Sequence, residues 1–131
     1  MSFYEEEIER IKKLCFSNDK QIETVITTRN FIDNNFEKEL NLDVLSHILL
    51  TSKYHLLRLF KRYYGLTPRQ YLMERRIEKS KEYLINGMTV TETCFAVGFE
   101  SLGSFSTLFK TKTGKSPTEF QKAQFSRSKK D

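Results

Sequence analysis

The chain has 131 residues, 38% of them hydrophobic, which suits one small domain or a tight pair of subdomains and leaves no room for a large enclosed cavity. No apolar run approaches the roughly 18 residues of a membrane span, and Met1-Ser2-Phe3-Tyr4-Glu5-Glu6-Glu7 lacks the basic-then-apolar layout of a secretory signal. The balance is 22 basic against 17 acidic side chains, unevenly placed: residues 1–45 hold six basic and ten acidic groups, and residues 46–131 hold sixteen and seven. That asymmetry directs the second part toward a polyanion, although charge alone suits a solvated basic surface equally well.

In chain order, Ile8, Ile11 and Cys15 fall at helical spacing and predict a short helix over 4–16. Ser17-Asn18-Asp19 then offers a break and an N-cap for a second helix over 19–36, anchored by Ile22, Val25, Ile26, Phe31 and Ile32. Leu42, Leu45, Ile48 and Leu49 predict a compact buried helix over 42–50. A helix over 52–64 follows Thr51-Ser52; Gly65 ends it, and Pro68 starts a long helix to about residue 86. After Asn86-Gly87 come helices near 90–97, 102–113 and 117–124, punctuated by Gly98, Gly114 and Pro117. The tail 125–131 is polar and expected to be disordered. No segment has a convincing strand period, so the chain is expected to be all-α.

An offset of 49 residues brings two stretches into register. Ser52, Leu56, Leu59, Phe60, Lys61, Gly65, Thr67, Pro68 and Tyr71 match Ser101, Phe105, Leu108, Phe109, Lys110, Gly114, Ser116, Pro117 and Phe120. Upstream, Val44, Leu45, Ile48 and Leu50 align with Thr93, Cys94, Val97 and Phe99. A fixed offset with matching cap, core and stop residues indicates one supersecondary unit used twice, helix-turn-helix in layout.

Helical geometry sorts the second helix of each copy into two faces. Leu56, Leu59, Phe60 and Tyr63 share the inward side of the first, and Tyr54, Arg58 and Lys61 the outward side, flanked by Leu57 and Arg62. In the other copy Phe105, Leu108 and Phe109 point inward, and Gly103, Thr107 and Lys110 outward. An Arg donates two hydrogen bonds to guanine, Lys and Arg at the rim meet phosphates, and Tyr54 can pack on a thymine methyl or a sugar. One such face alone is more simply a solvated surface. The repeat, the turn spacing and the charge asymmetry together favour double-stranded DNA.

Ser52-Lys53-Tyr54-His55-Leu56-Leu57-Arg58-Leu59-Phe60-Lys61 followed by Gly65-Leu66-Thr67-Pro68 resembles the first recognition segment of AraC/XylS-type regulators. Gly98-Phe99-Glu100-Ser101, with Phe105, Phe109-Lys110, Gly114 and Ser116-Pro117, resembles the family's C-terminal signature. The resemblance spans about residues 20–124 and implies two helix-turn-helix subdomains joined by a long linker helix, with each recognition helix in one of two successive major grooves. It also implies transcriptional control, usually activation, with RNA polymerase as a protein partner. The expected division is an extension helix (1–18), a first subdomain (19–66), the linker (67–86), a second subdomain (87–124) and the tail.

The family's base-reading positions carry over to Lys53, Tyr54, Leu57 and Arg58, and to Leu102, Gly103, Ser104 and Thr107. The second set departs from the pattern, since it lacks a bidentate donor; that unit is expected to grip phosphate through Lys110 and Lys112. Thr93 and Cys94 stand where the family has a bulky aliphatic and an Ala, and are expected to loosen that core. Ser52 and Ser101 cap the recognition helices, whose positive ends suit a phosphate. Lys61 and Arg62 are placed on the DNA backbone, as are Arg75 and Arg76, for which the plainer reading is a local ion pair such as Arg75 with Glu78.

His47 and His55 have no ligand cluster around them, and Cys15 and Cys94 match no metal spacing and read as small apolar fillers. No Gly-rich phosphate loop or nucleophile–base pair occurs. Neither an enzyme nor a cofactor or metal is expected, and the location expected is the cytoplasm, at the nucleoid. Two reading units in one chain suit a DNA-binding part that acts as a monomer. Too few residues precede the matched region for an effector domain, so the chain reads as a stand-alone regulator or as a fragment. The extension helix is expected to pack on the domain. The alternative function is a helical protein-interaction module with vestigial DNA binding.

Overall fold

The computed structural model describes the backbone of residues 2–130 and their side chains except those of 15–17 and 128–130. The described residues form helices α1 (Phe3–Asn35), α2 (Leu42–Ile48), α3 (Lys53–Tyr64), α4 (Pro68–Ile85), α5 (Val90–Ala96), α6 (Leu102–Thr113) and α7 (Pro117–Lys130), with no strand among them. None of these helices is long and apolar enough to cross a membrane.

From α2 to α6 the helices start and stop close to where the sequence places them, but the two ends of the chain differ. α1 runs unbroken through Ser17-Asn18-Asp19. No Gly or Pro stands there to stop it, and Ser, Asn and Asp each cost only up to about 0.7 kcal/mol in a helix interior. For the same reason α7 continues through Ser126 and Arg127 instead of giving way to a disordered tail. Cys15, expected as a filler, has its side chain outside the described residues.

The chain forms two compact units: residues 1–34 with 41–69, and residues 35–40 with 70–131. In the first, Val25, Thr28 and Ile32 of α1, Leu45 of α2, and Leu56, Leu59 and Phe60 of α3 are buried. Phe60 stacks on Tyr64 at 4.9 Å between centroids, and the Tyr64 hydroxyl accepts from Arg29 at 2.8 Å. The core of the second unit joins Ile77 and Leu84 to Cys94, Val97, Phe99, Phe105 and Phe109. Its rings form a ladder, Phe99–Phe105, Phe105–Phe109 and Phe109–Phe120, at 5.2, 5.7 and 5.4 Å, within the range of favourable tilted and edge-on pairs.

The expected linker helix is present as α4, yet residues 70–85 group with the second unit. So do residues 35–40, and Arg76 explains why. Its Nε donates to the Phe36 carbonyl at 2.7 Å, another guanidinium nitrogen donates to the Lys38 carbonyl at 2.8 Å, and the group lies over the Phe99 ring. Gly98 completes this clamp with φ +103°; a Cβ there would lie 2.8 Å from the Glu37 carbonyl and 2.9 Å from Arg76. Only glycine meets both the backbone angle and that approach.

Candidate nucleic-acid interface

Each unit carries a short helix, a tight turn and a longer exposed helix. In the first, the Asn41 side chain caps α2 by accepting from Val44 N at 2.8 Å. The turn follows at Leu50, with φ 53°, and the Thr51 N–H closes it onto the Ser46 carbonyl at 3.0 Å. The Ser52 hydroxyl then caps α3, accepting from His55 N at 3.1 Å. In the second, Thr89 caps α5 by accepting from Glu92 N, Gly98 makes the turn, and the Phe99 N–H closes it onto the Cys94 carbonyl. Ser101 caps α6, accepting from Ser104 N at 3.2 Å and donating to the Ser104 hydroxyl at 2.9 Å.

These caps correct the register of the repeat. Asn41 corresponds to Thr89 and Leu50 to Gly98, an offset of 48, whereas Ser52 corresponds to Ser101, an offset of 49. The second turn therefore holds one more residue. The pairs on the first helices are Leu45 with Thr93 and Leu49 with Val97, not those expected from a uniform 49. Short helices rich in apolar residues fit either offset by composition, and the cap and turn bonds decide between them.

The outward faces emerge where expected. On α3, Leu56, Leu59 and Phe60 are buried, while Lys53, Tyr54, Arg58, Lys61 and Arg62 are exposed and Leu57 is half-buried. Tyr63 differs from expectation: it sits at the edge and donates to Gln21 at 3.3 Å. Arg58 has neither hydrogen bond nor ion pair among the described residues, so its guanidinium is available. Lys53 is engaged: its ammonium meets Asp43 at 3.3 Å and lies 5.6 Å from the Tyr54 ring centre. Asp43 escaped the sequence reading because a pair between α2 and α3 follows no helical spacing. On α6, Phe105 and Phe109 are buried and Leu108 is half-buried, while Leu102, Gly103, Ser104, Thr107 and Lys110 are exposed. Lys112 lies 3.9 Å from Glu74. Both ion pairs are exposed, and such pairs hold by only up to about 1 kcal/mol.

The arginines of α4 separate. Arg75 is half-buried, and Glu78, one turn further along, pairs with Lys81 at 3.0 Å. Arg76 is only 6% exposed and its fork is filled by main-chain carbonyls. It is a buried clamp and not the phosphate ligand expected, because carbonyls 40 and 38 residues upstream occupy its fork. Thr93 and Cys94 are both fully buried. The Cys94 thiol donates to the Ser101 carbonyl at 3.4 Å and burial pushes its pKa up, while the Thr93 hydroxyl has no hydrogen-bond partner among the described residues.

A helix-turn-helix domain family matches residues 45–123 of the chain. The bifunctional transcriptional activator/DNA repair enzyme AdaA of Bacillus subtilis is 37% identical over 92 residues, covering 70% of this chain and 44% of AdaA. The chain spans about half the length of the curated relatives it matches. Among solved structures, the C-terminal domain of AraT, a response regulator from Geobacillus stearothermophilus, is 28% identical with a TM-score of 0.74, over 76% of this chain and 84% of that one. The DNA-binding domain of AdpA, a global transcriptional factor solved with a target DNA, shares the fold at 20% identity with a TM-score of 0.75, over 79% and 94%.

Proposed function

We propose, from the premise that the chain belongs to the AraC/XylS-type family of helix-turn-helix domains, that it regulates transcription by setting α3 and α6 into successive major-groove segments of double-stranded DNA. The observation that carries the proposal is the outward face of α3, where an unengaged Arg58 stands among exposed Lys53 and Tyr54 and half-buried Leu57 on a helix anchored by its opposite side. These four residues read bases. Leu102, Gly103, Ser104 and Thr107 face bases from α6 with little discrimination, since none is a bidentate donor. Ser52, Lys61, Arg62, Arg75, Ser101, Lys110 and Lys112 hold the sugar–phosphate backbone.

One copy of this DNA-binding part serves one site, so the site has no need of two-fold symmetry. Activation through contact with RNA polymerase, in the cytoplasm at the nucleoid, is the regulatory mode that fits the likeness to AdaA, a transcriptional activator. These residues act by binding; AdaA is also a DNA repair enzyme, and this chain matches 44% of it.

Competition binding against a selected duplex and its single-base variants tests the reading. Arg58→Ala should weaken the selected site by about 1–3 kcal/mol and flatten preference at one base pair. Preferences left intact at every position would refute the assignment.

A further inference from the structure

Among the described residues, none of its own unit covers the first half of α1. From Ser2 to Leu14 every side chain is exposed except Glu7, which is half-buried. This corrects the expectation that an extension helix packs on the domain. The apolar side chains lie open: Tyr4 is 77% exposed, Ile8 42%, Ile11 52% and, further along, Ile22 41%. In the sequence they belong to one seam, Tyr4, Ile8, Ile11, Cys15, Asn18 and Ile22, whose steps alternate four and three. That is the heptad spacing of a coiled coil, with Ile8, Cys15 and Ile22 at a and Tyr4, Ile11 and Asn18 at d. The unbroken 33 residues of α1 keep the seam continuous. A helix exposed on all sides gains little from its own hydrogen bonds in water, whereas burying such a seam stabilises it.

We propose that α1 pairs with α1 of a second copy of this chain in a parallel two-stranded coiled coil. The charges flanking the seam choose the occupant and the direction. In a parallel two-fold pair each g position faces the e position five residues on in the other helix. Glu7 then meets Lys12 of the second copy, twice by symmetry, and Leu14 meets Asp19, so no like charges are opposed. On its own helix one oxygen of the Glu7 carboxylate accepts from Arg10 at 2.8 Å, an exposed pair that leaves the other oxygen for Lys12 of the second copy. An antiparallel pair overlapping along the whole seam would set Lys12 against Lys12 and Glu5 against Asp19. Asn18 meets its own counterpart in the parallel arrangement, where one amide donates to the other, so an identical chain in register satisfies the polar layer. The inference is independent of the DNA reading, and it adds to it: two DNA-binding parts held together engage paired sites by avidity.

Sedimentation of the full chain at micromolar concentrations tests the pairing. The expected result is a dimer that Ile11→Asp converts to monomer while the helical content and thermal transition of the two units persist. Glu7→Lys should weaken the dimer several-fold, and Glu7→Lys with Lys12→Glu should restore it; this pair of exposed changes keeps the test informative if Ile11→Asp misfolds. In a Cys15→Ser background, Ile8→Cys should give a disulfide-linked dimer on mild oxidation, because only the parallel register puts residue 8 opposite itself. A monomeric wild-type chain, whether its seam is left bare or taken by another protein, would overturn the proposal. So would a dimer indifferent to Ile11→Asp and the charge changes, or one that Ile8→Cys fails to link.

Discussion

The guanidinium of Arg76 donates to the carbonyls of Phe36 and Lys38, the last of them two residues before buried Leu40. Replacing it with Met keeps the bulk and leaves both carbonyls without their donor, at about 1–3 kcal/mol for each polar group left unmet. Arg76→Met should therefore lower the denaturation midpoint sharply. Measured well below the transition, its DNA binding should keep the wild-type salt dependence, whereas losing a phosphate contact would lower the slope by about 1. Thr93 presents the opposite case, a buried hydroxyl with no hydrogen-bond partner among the described residues. Thr93→Val removes it at nearly constant shape, and stability should rise by about 1 kcal/mol, seen as a higher urea midpoint at unchanged slope. A fall would mean that the hydroxyl is hydrogen-bonded. Neither role was legible in the sequence. Arg76 sits among charged residues at helical spacing and looks like a surface cation, while its partners stand 38 and 40 positions upstream. Thr93 shows only that it replaces an aliphatic side chain.

Among the elements, the two turns solve one problem with different residues. Gly98 takes a positive φ freely, but Leu50 takes φ 53° with a β-carbon that opposes it and a side chain 91% exposed. A left-handed leucine is strained by about 1–2 kcal/mol, and this one contributes no packing in return. Leu50→Gly should relieve that strain. Part of the gain is offset by the greater freedom of glycine in the unfolded chain, about 0.4–1 kcal/mol, so a net rise of up to about 1 kcal/mol is expected in thermal or urea unfolding. A net loss would show that the Leu50 side chain packs on something in solution. The helices themselves were largely legible from apolar period and from caps such as Ser52, Gly65, Ser101 and Gly114, because these bonds are local. The register of the turns was not, since one residue more or less leaves the hydrophobic pattern intact. The continuity of α1 was hidden by Ser17-Asn18-Asp19, residues that cap a helix if it stops and are tolerated if it does not.

At the scale of the whole molecule, the twofold use of one motif was plain in the sequence, and so was its unequal chemistry. α3 offers Arg58, whose fork can separate guanine from other bases, while the α6 face offers Gly103, Ser104 and Thr107, which cannot do so strongly. Duplexes selected from a random pool should thus show sharp preference over the segment read by α3 and shallow preference over that read by α6. The cause can be tested by supplying what α6 lacks. Gly103 lies in the first turn of α6 at an ordinary backbone angle, and a Cβ there would meet nothing within 4 Å. Gly103→Arg therefore meets no clash at its β-carbon on this exposed position, and it should stabilise α6, since glycine is worse than Arg in a helix by nearly 1 kcal/mol. Any change in binding then reports contact and not unfolding. If α6 lies in a major groove, the new arginine should add preference of about 1–3 kcal/mol at a base pair in the shallow segment and leave the sharp segment as it was. If α6 only grips phosphate from outside the groove, the added charge should tighten all sequences alike and steepen the salt dependence without creating any preference.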